Sequence, residues 1–273
     1  MAVMARHRRS VRVAGIATSF VAGLCAACAA ACSGGDFALL GTTSGELQPP
    51  APFTAFVADL GAGSLELREG DTPNVVVTGE VLVRDRLDAK TGPAADAAPK
   101  LPFADWVALV ADGGTVTLRP ARRDDDHQLR LRVTLPRGQR DVTARIAAGA
   151  LDVEVAAATA LDLHAAAGNV CCRADAVAGV LRADVGAGQF QGTVQQRCGG
   201  VAIEVSVGQA MLALPPDCSG TFALGVGVGG ITGADRYGLA VERSLTSASA
   251  KGRRGTVEAV FQIHVGTGQI ALQ

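Results

Sequence analysis

A glycine returns at Gly149, Gly168, Gly188, Gly208 and Gly229, at spacings of 19, 20, 20 and 21 residues. Around each glycine, apolar or small residues stand seven, five and three positions before it and two and four after it. Ahead of Gly168 these are Leu161, Leu163 and Ala165; ahead of Gly188, Leu181, Ala183 and Val185; ahead of Gly208, Val201, Ile203 and Val205; ahead of Gly229, Phe222, Leu224 and Val226. Alternate side chains point the same way, which is the period of a strand. Two short strands in every period of about 20 residues predict a β-solenoid, because each rung leaves an apolar face that only the next rung can cover. The expected fold is therefore all-β, a single-stranded β-helix.

The frame extends beyond the central repeats. Phe56, Ala58 and Leu60 precede Gly63, with Leu65 and Leu67 after it, and Phe261, Ile263 and Val265 precede Gly268, with Ile270 and Leu272 after it. Val107, Leu109, Ala111, Val116 and Leu118 give a further match around Gly114. Residues 53–273 are thus predicted to form one solenoid, with one irregular rung in the 39-residue gap between Gly229 and Gly268. Residues 84–102 follow no period and read as an exposed insertion, and Arg122–His127 reads as a charged hairpin tip. Only ten residues are aromatic (Phe 8, Trp106, Tyr237), so the core must be filled by Val, Leu, Ile and Ala, which suits a narrow interior.

The first 31 residues carry a different message. Arg6, His7, Arg8, Arg9 and Arg12 precede an Ala-rich and Gly-rich apolar run from Val13 to Ala31, the pattern of an export signal. Small residues lead into Cys32, as in the cleavage box of bacterial lipoproteins, with Cys28 as the alternative lipidation site. An uncleaved membrane anchor is the other reading of the run. Residues 32–52 are small and polar and read as a flexible tether. Removal of residues 1–31 takes away four Arg and no acid, leaving 21 basic against 26 acidic side chains. A nucleic-acid partner is disfavoured, since phosphate binding depends on clustered Lys and Arg.

The runs Val133–Pro136, Ala148–Val153, Val185–Gly188, Leu212–Pro215, Val226–Ile231 and Val265–Ile270 resemble those of the bacterial putative-adhesin family, also called toastrack-like, over roughly residues 53–273. The resemblance implies a β-helical extracytoplasmic module; it carries over no catalytic residue, cofactor or ligand.

Stacking in register would turn equal offsets into columns with a repeat of about 4.8 Å. Four positions before each glycine stand Arg145, His164, Asp184, Glu204, Gly225 and, later, His264. His164, Asp184 and Glu204 are ligand types for a divalent cation; the plainer reading is a mixed polar face in which Arg145 and Arg182 neutralise the acids. One position after each glycine stand Ala150, Asn169, Gln189, Gln209, Gly230 and finally Gln269, a candidate amide ladder. Cys198 and Cys218 each lie ten residues past a repeat glycine, so simple stacking predicts a disulfide between them. Cys172 reads as a small core residue.

No nucleophile elbow, phosphate-cradling loop or HExxH is present. The expectation is a non-catalytic lipoprotein of the bacterial envelope, extracytoplasmic and held to the membrane by its N-terminal lipid. Its partner is an unspecified protein or glycan of the envelope. The alternative is a carbohydrate-active β-helix enzyme using Asp162, Asp184 and Glu204 as acids.

Overall fold

The computed structural model describes residues 37–49, 51–84, 98–122, 126–256 and 258–273. The lipidation candidates Cys32 and Cys28, and residues 85–97 of the insertion, lie outside these. The described chain is almost entirely strand. In the longest element, β7 (Arg140–Ala213), the backbone stays extended through four successive rungs, those of Gly149, Gly168, Gly188 and Gly208.

Each rung bends at its glycine. Gly63, Gly149, Gly168, Gly188, Gly208, Gly229 and Gly268 all have φ between +130° and +143°, a region that L side chains rarely adopt. The stacking demands glycine a second time. A Cβ on Gly188 would lie 1.8 Å from the carbonyl oxygen of Gly168, and one on Gly208 would lie 1.7 Å from that of Gly188. Inward residues before and after each glycine are buried as the alternation predicts, among them Leu163, Ile203, Leu224 and Cys172. A third inward side goes beyond the two strands per repeat, adding Val155, Ala158, Ala174, Val177 and Val194 to the core.

The rungs do not stack in sequence order. Strand β2 (Ala55–Gly70) receives the first rung of β7 on one side, with Gly63 facing Gly149. On its other side lie β5 (Thr115–Pro120), against Ala55–Ala58, and β6 (His127–Pro136), against Gly63–Gly70. At the far end, β11 (Val260–Leu272) enters between the last rung of β7 and β8 (Gly220–Thr232), pairing parallel with both. Gly268 faces Gly208 on one side and Gly229 on the other. All three rungs share one frame, so their inward and outward faces match in either order.

Antiparallel strands close both ends. β6 is covered by β3 (Val75–Arg84), and β3 by β1 (Phe37–Leu47). β8 is covered by β10 (Ala248–Arg254), and β10 by β9 (Val241–Arg243). Tyr237, in a 3-10 turn over Ala234–Tyr237, is buried beside Phe222, which stacks on Phe261 at 4.6 Å between ring centres.

Four sequence expectations are corrected here. Residues 37–47 are a sheet strand and not part of a tether. Gly41 and Gly45, which read as linker glycines, let β1 pass beneath Leu101 and Phe103, where a Cβ would come within 2.7 Å of either side chain. The match around Gly114 is not a rung: β4 (Val107–Asp112) and β5 form an antiparallel hairpin whose two-residue loop, Gly113-Gly114, has φ of +53° and +85°. β5 and β6 form no hairpin either, since they are the two halves of one rung under β2. The stretch after Gly229 makes the antiparallel cap instead of an irregular rung.

The expected Cys198–Cys218 disulfide is also absent; Cys172, Cys198 and Cys218 are free thiols. Cys218 leads into β8, and β8 is separated from the Cys198 rung's strand by β11. Two rung spacings come to about 10 Å, beyond the Cα separation a disulfide accepts. Burial pushes the Cys172 thiol up to about 12 and the Cys218 thiol up to about 11.

The crossing from β6 into β7 is pinned by a group that no sequence pattern singled out. Arg140 is 4% exposed and lies 4.4 Å from the ring centre of Phe53. It donates from Nε to the Gly138 carbonyl at 3.0 Å and from Nη2 to that of Pro136, with Glu69 at 4.0 Å. Loss of water around it lowers its pKa.

Candidate functional site: a groove along the outward columns

The glycine corners fix the register of every outward column. Four residues before the corners, the order in space is Asp59, Arg145, His164, Asp184, Glu204, His264, Gly225. The insertion of β11 is what places His264 beside Glu204. Gly225 makes room for it, since a Cβ there would lie 3.3 Å from His264 Nδ1. Asp162, Arg182 and Gln262 flank this line on the column two residues earlier, and together the two columns line an open groove of about 470 Å³.

His164 is the best-connected residue of the groove. Its Nε2 is 3.0 Å from Asp162 Oδ1 on its own strand, and its Nδ1 is 3.9 Å from Asp184 Oδ2 on the next rung. Among the described residues neither Arg145 nor Arg182 forms an ion pair, and the side chain that Asp162 and Asp184 meet is His164. The metal-candidate column His164, Asp184 and Glu204 is assembled as a row and not as a cage. His164 and Glu204 stand two rungs apart, about 10 Å along the stack. Among the described residues no three His, Cys, Asp or Glu are gathered closely enough to hold an ion. The amide column runs Asn169, Gln189, Gln209, Gln269, with Gln269 between Gln209 and Gly230.

At Arg145 and His164 the groove opens into a larger cleft of about 910 Å³ at the β1 end of the solenoid. Here Trp106, 8% exposed, ends the short helix α1 (Phe103–Trp106) and packs against His127 at 5.0 Å between ring centres. The guanidinium of Arg122 lies 5.2 Å from the centre of the Trp106 ring, and that of Arg84 lies 5.8 Å from the centre of Phe37. Backbone bonds set these positions: the Ala121 N–H donates to the Trp106 carbonyl at 2.9 Å, and the Arg84 N–H to that of Asp126 at 2.7 Å.

The fold is similar to solved bacterial structures. One is described as a putative cell adhesion protein from Clostridium sporogenes, at 11% identity and a TM-score of 0.48, covering 85% of this chain and 97% of that one. Two others are described as putative adhesins, from Bacteroides fragilis (10% identity, TM-score 0.24) and Parabacteroides distasonis (14% identity, TM-score 0.24), each with the same coverage. No family model matches the chain. No curated protein matches it either. At such identities and superpositions the likenesses transfer no ligand and no residue role.

The outward columns were legible from spacing alone, but the cleft was not. Trp106 stood in the sequence as a lone aromatic, and its neighbours Phe37, Arg84, Arg122 and His127 come from segments scattered over 91 positions. Among the described residues, no helix is long and apolar enough to cross a membrane.

Proposed function

We propose that this chain is an adhesin-like binding module of the bacterial envelope, tethered by an N-terminal lipid on Cys32, or on Cys28, with the groove from Arg145 to His264 as its contact surface. The observation that carries this reading is the straight course of that groove. From Arg145 to His264 it crosses five consecutive rungs, about 19 Å at the strand spacing. It is open to water along its length, and its rungs are held by glycine contacts that permit little adjustment. A rigid, shallow, linear surface with alternating donors and acceptors suits one stretch of a polymer better than an enclosed small molecule. The descriptions of the structural neighbours agree with such a role. The basic start, the apolar run and Cys32 support the anchor, since diacylglycerol and an N-acyl chain together hold a protein stably at a bilayer.

The test is retention of the full chain, in detergent, on immobilised envelope glycans, compared with the Asp184→Asn/Glu204→Gln variant. Both side chains are exposed, so the variant should fold normally. The proposal expects binding by the parent chain and loss in the variant. Equal binding by both would remove the groove from the function, and progressive shortening of the glycan would make the chain an enzyme instead.

A further inference from the structure

We infer that the cleft at the β1 end is a carboxylate-binding pocket that receives an acidic sugar residue of a glycan lying in the groove. This deepens the reading of the groove as a binding surface, and rests on it. Three arginines from three separate elements converge on the cleft, Arg84 at the end of β3, Arg122 after β5 and Arg145 on the first rung of β7, and outnumber Asp59, the acid that lines it opposite Arg145. The guanidinium groups of Arg84 and Arg122 lie over the rings of Phe37 and Trp106, at cation–π distance. An aromatic face attracts the cation without using its N–H donors, which stay free for a second partner. None of the three arginines forms an ion pair among the described residues. Like charges gathered at one concave site repel each other, and an anion held between them relieves that repulsion. A carboxylate matches the planar fork in a bidentate way.

The groove selects a saccharide as the bearer of this anion. Leaving the cleft, a ligand meets His164, Asp184, Glu204, Gln262 and His264, which offer hydrogen bonds at each rung. The rungs recur at about 4.8 Å, close to the advance of one hexose along a linear glycan. Asp184 and Glu204 would repel further anions, so the acidic residue belongs at the cleft and hydroxyl-rich residues beyond it. Trp106 is covered by Arg122 and His127 and serves to hold the arginine; it is not itself a sugar platform.

Binding of a neutral xylotriose bearing a single glucuronic acid at one end to the full chain, beside its neutral methyl ester and inorganic sulfate, tests this by calorimetry at two salt concentrations. The free acid should bind at least about tenfold more tightly than the ester, and more weakly in high salt. Arg122→Gln and Arg145→Gln should each lose that preference, while Lys251→Gln, exposed on β10, should keep it. Unchanged melting curves would show that the arginine variants fold. Equal binding of acid and ester would overturn the carboxylate pocket and leave the groove standing. Sulfate competing as well as the sugar acid would overturn the saccharide assignment. If neither sugar binds while immobilised envelope glycans still do, the pocket is wrong and the groove survives; if those fail as well, both are wrong.

Discussion

Gly188 and Gly230 differ in what surrounds them, and the difference measures how the corners are built. A Cβ on Gly188 would sit 1.8 Å from a backbone oxygen that cannot move without shifting a whole rung, at a φ of +143°. A Cβ on Gly230 meets nothing within 4 Å. Gly188→Ala should therefore cost more than about 4 kcal/mol and abolish a cooperative melt, whereas Gly230→Ala should stay within about 1 kcal/mol of the parent. Thermal unfolding followed by circular dichroism checks both, and a parental melt for Gly188→Ala would show that the corner contacts are misplaced. The period made these glycines visible in the sequence. It did not reveal that each corner packs on the carbonyl of its neighbour, because that contact depends on the order of stacking.

Along a single strand the alternation is reliable. Ile203 is 3% exposed and sits between rungs, while Glu204, the next residue, faces water. Ile203→Asp would bury a charge with no partner and should leave the chain insoluble, whereas Glu204→Lys should express and melt within about 0.5 kcal/mol of the parent. Equal behaviour in a solubility and melting assay would mean that the faces are inverted. Periodicity says which face is inward and nothing about which strand lies alongside. Asp112-Gly113-Gly114-Thr115 fits the glycine frame, yet the same residues satisfy a two-residue hairpin, and local turn geometry prevails. β1 escaped notice for a related reason: its glycines and hydroxyls resemble a linker until Leu101 and Phe103 are seen packed over them.

On the scale of the whole molecule, the surface proposed for binding is a product of non-sequential stacking. β11 sets His264 next to Glu204, and the rung made by β5 and β6 brings Trp106, Arg122 and His127 up to Arg145. Neither neighbourhood could be read from the sequence, because rungs with the same frame are interchangeable in register. The same ambiguity misdirected the cysteines, since the offset between Cys198 and Cys218 presumed that consecutive rungs touch. The order of rungs is therefore the point on which fold and function both rest. Its most direct measurement is oxidative cross-linking of two paired-cysteine variants, with the linked peptides mapped by mass spectrometry. Gln209→Cys with Gln269→Cys places the thiols on adjacent rungs, about 5 Å apart at the backbone, and should form a disulfide. Gln209→Cys with Gly230→Cys places them two rungs apart with β11 between, and should not. A bond in the second pair and none in the first would mean that the rungs follow sequence order, and would dismantle the groove.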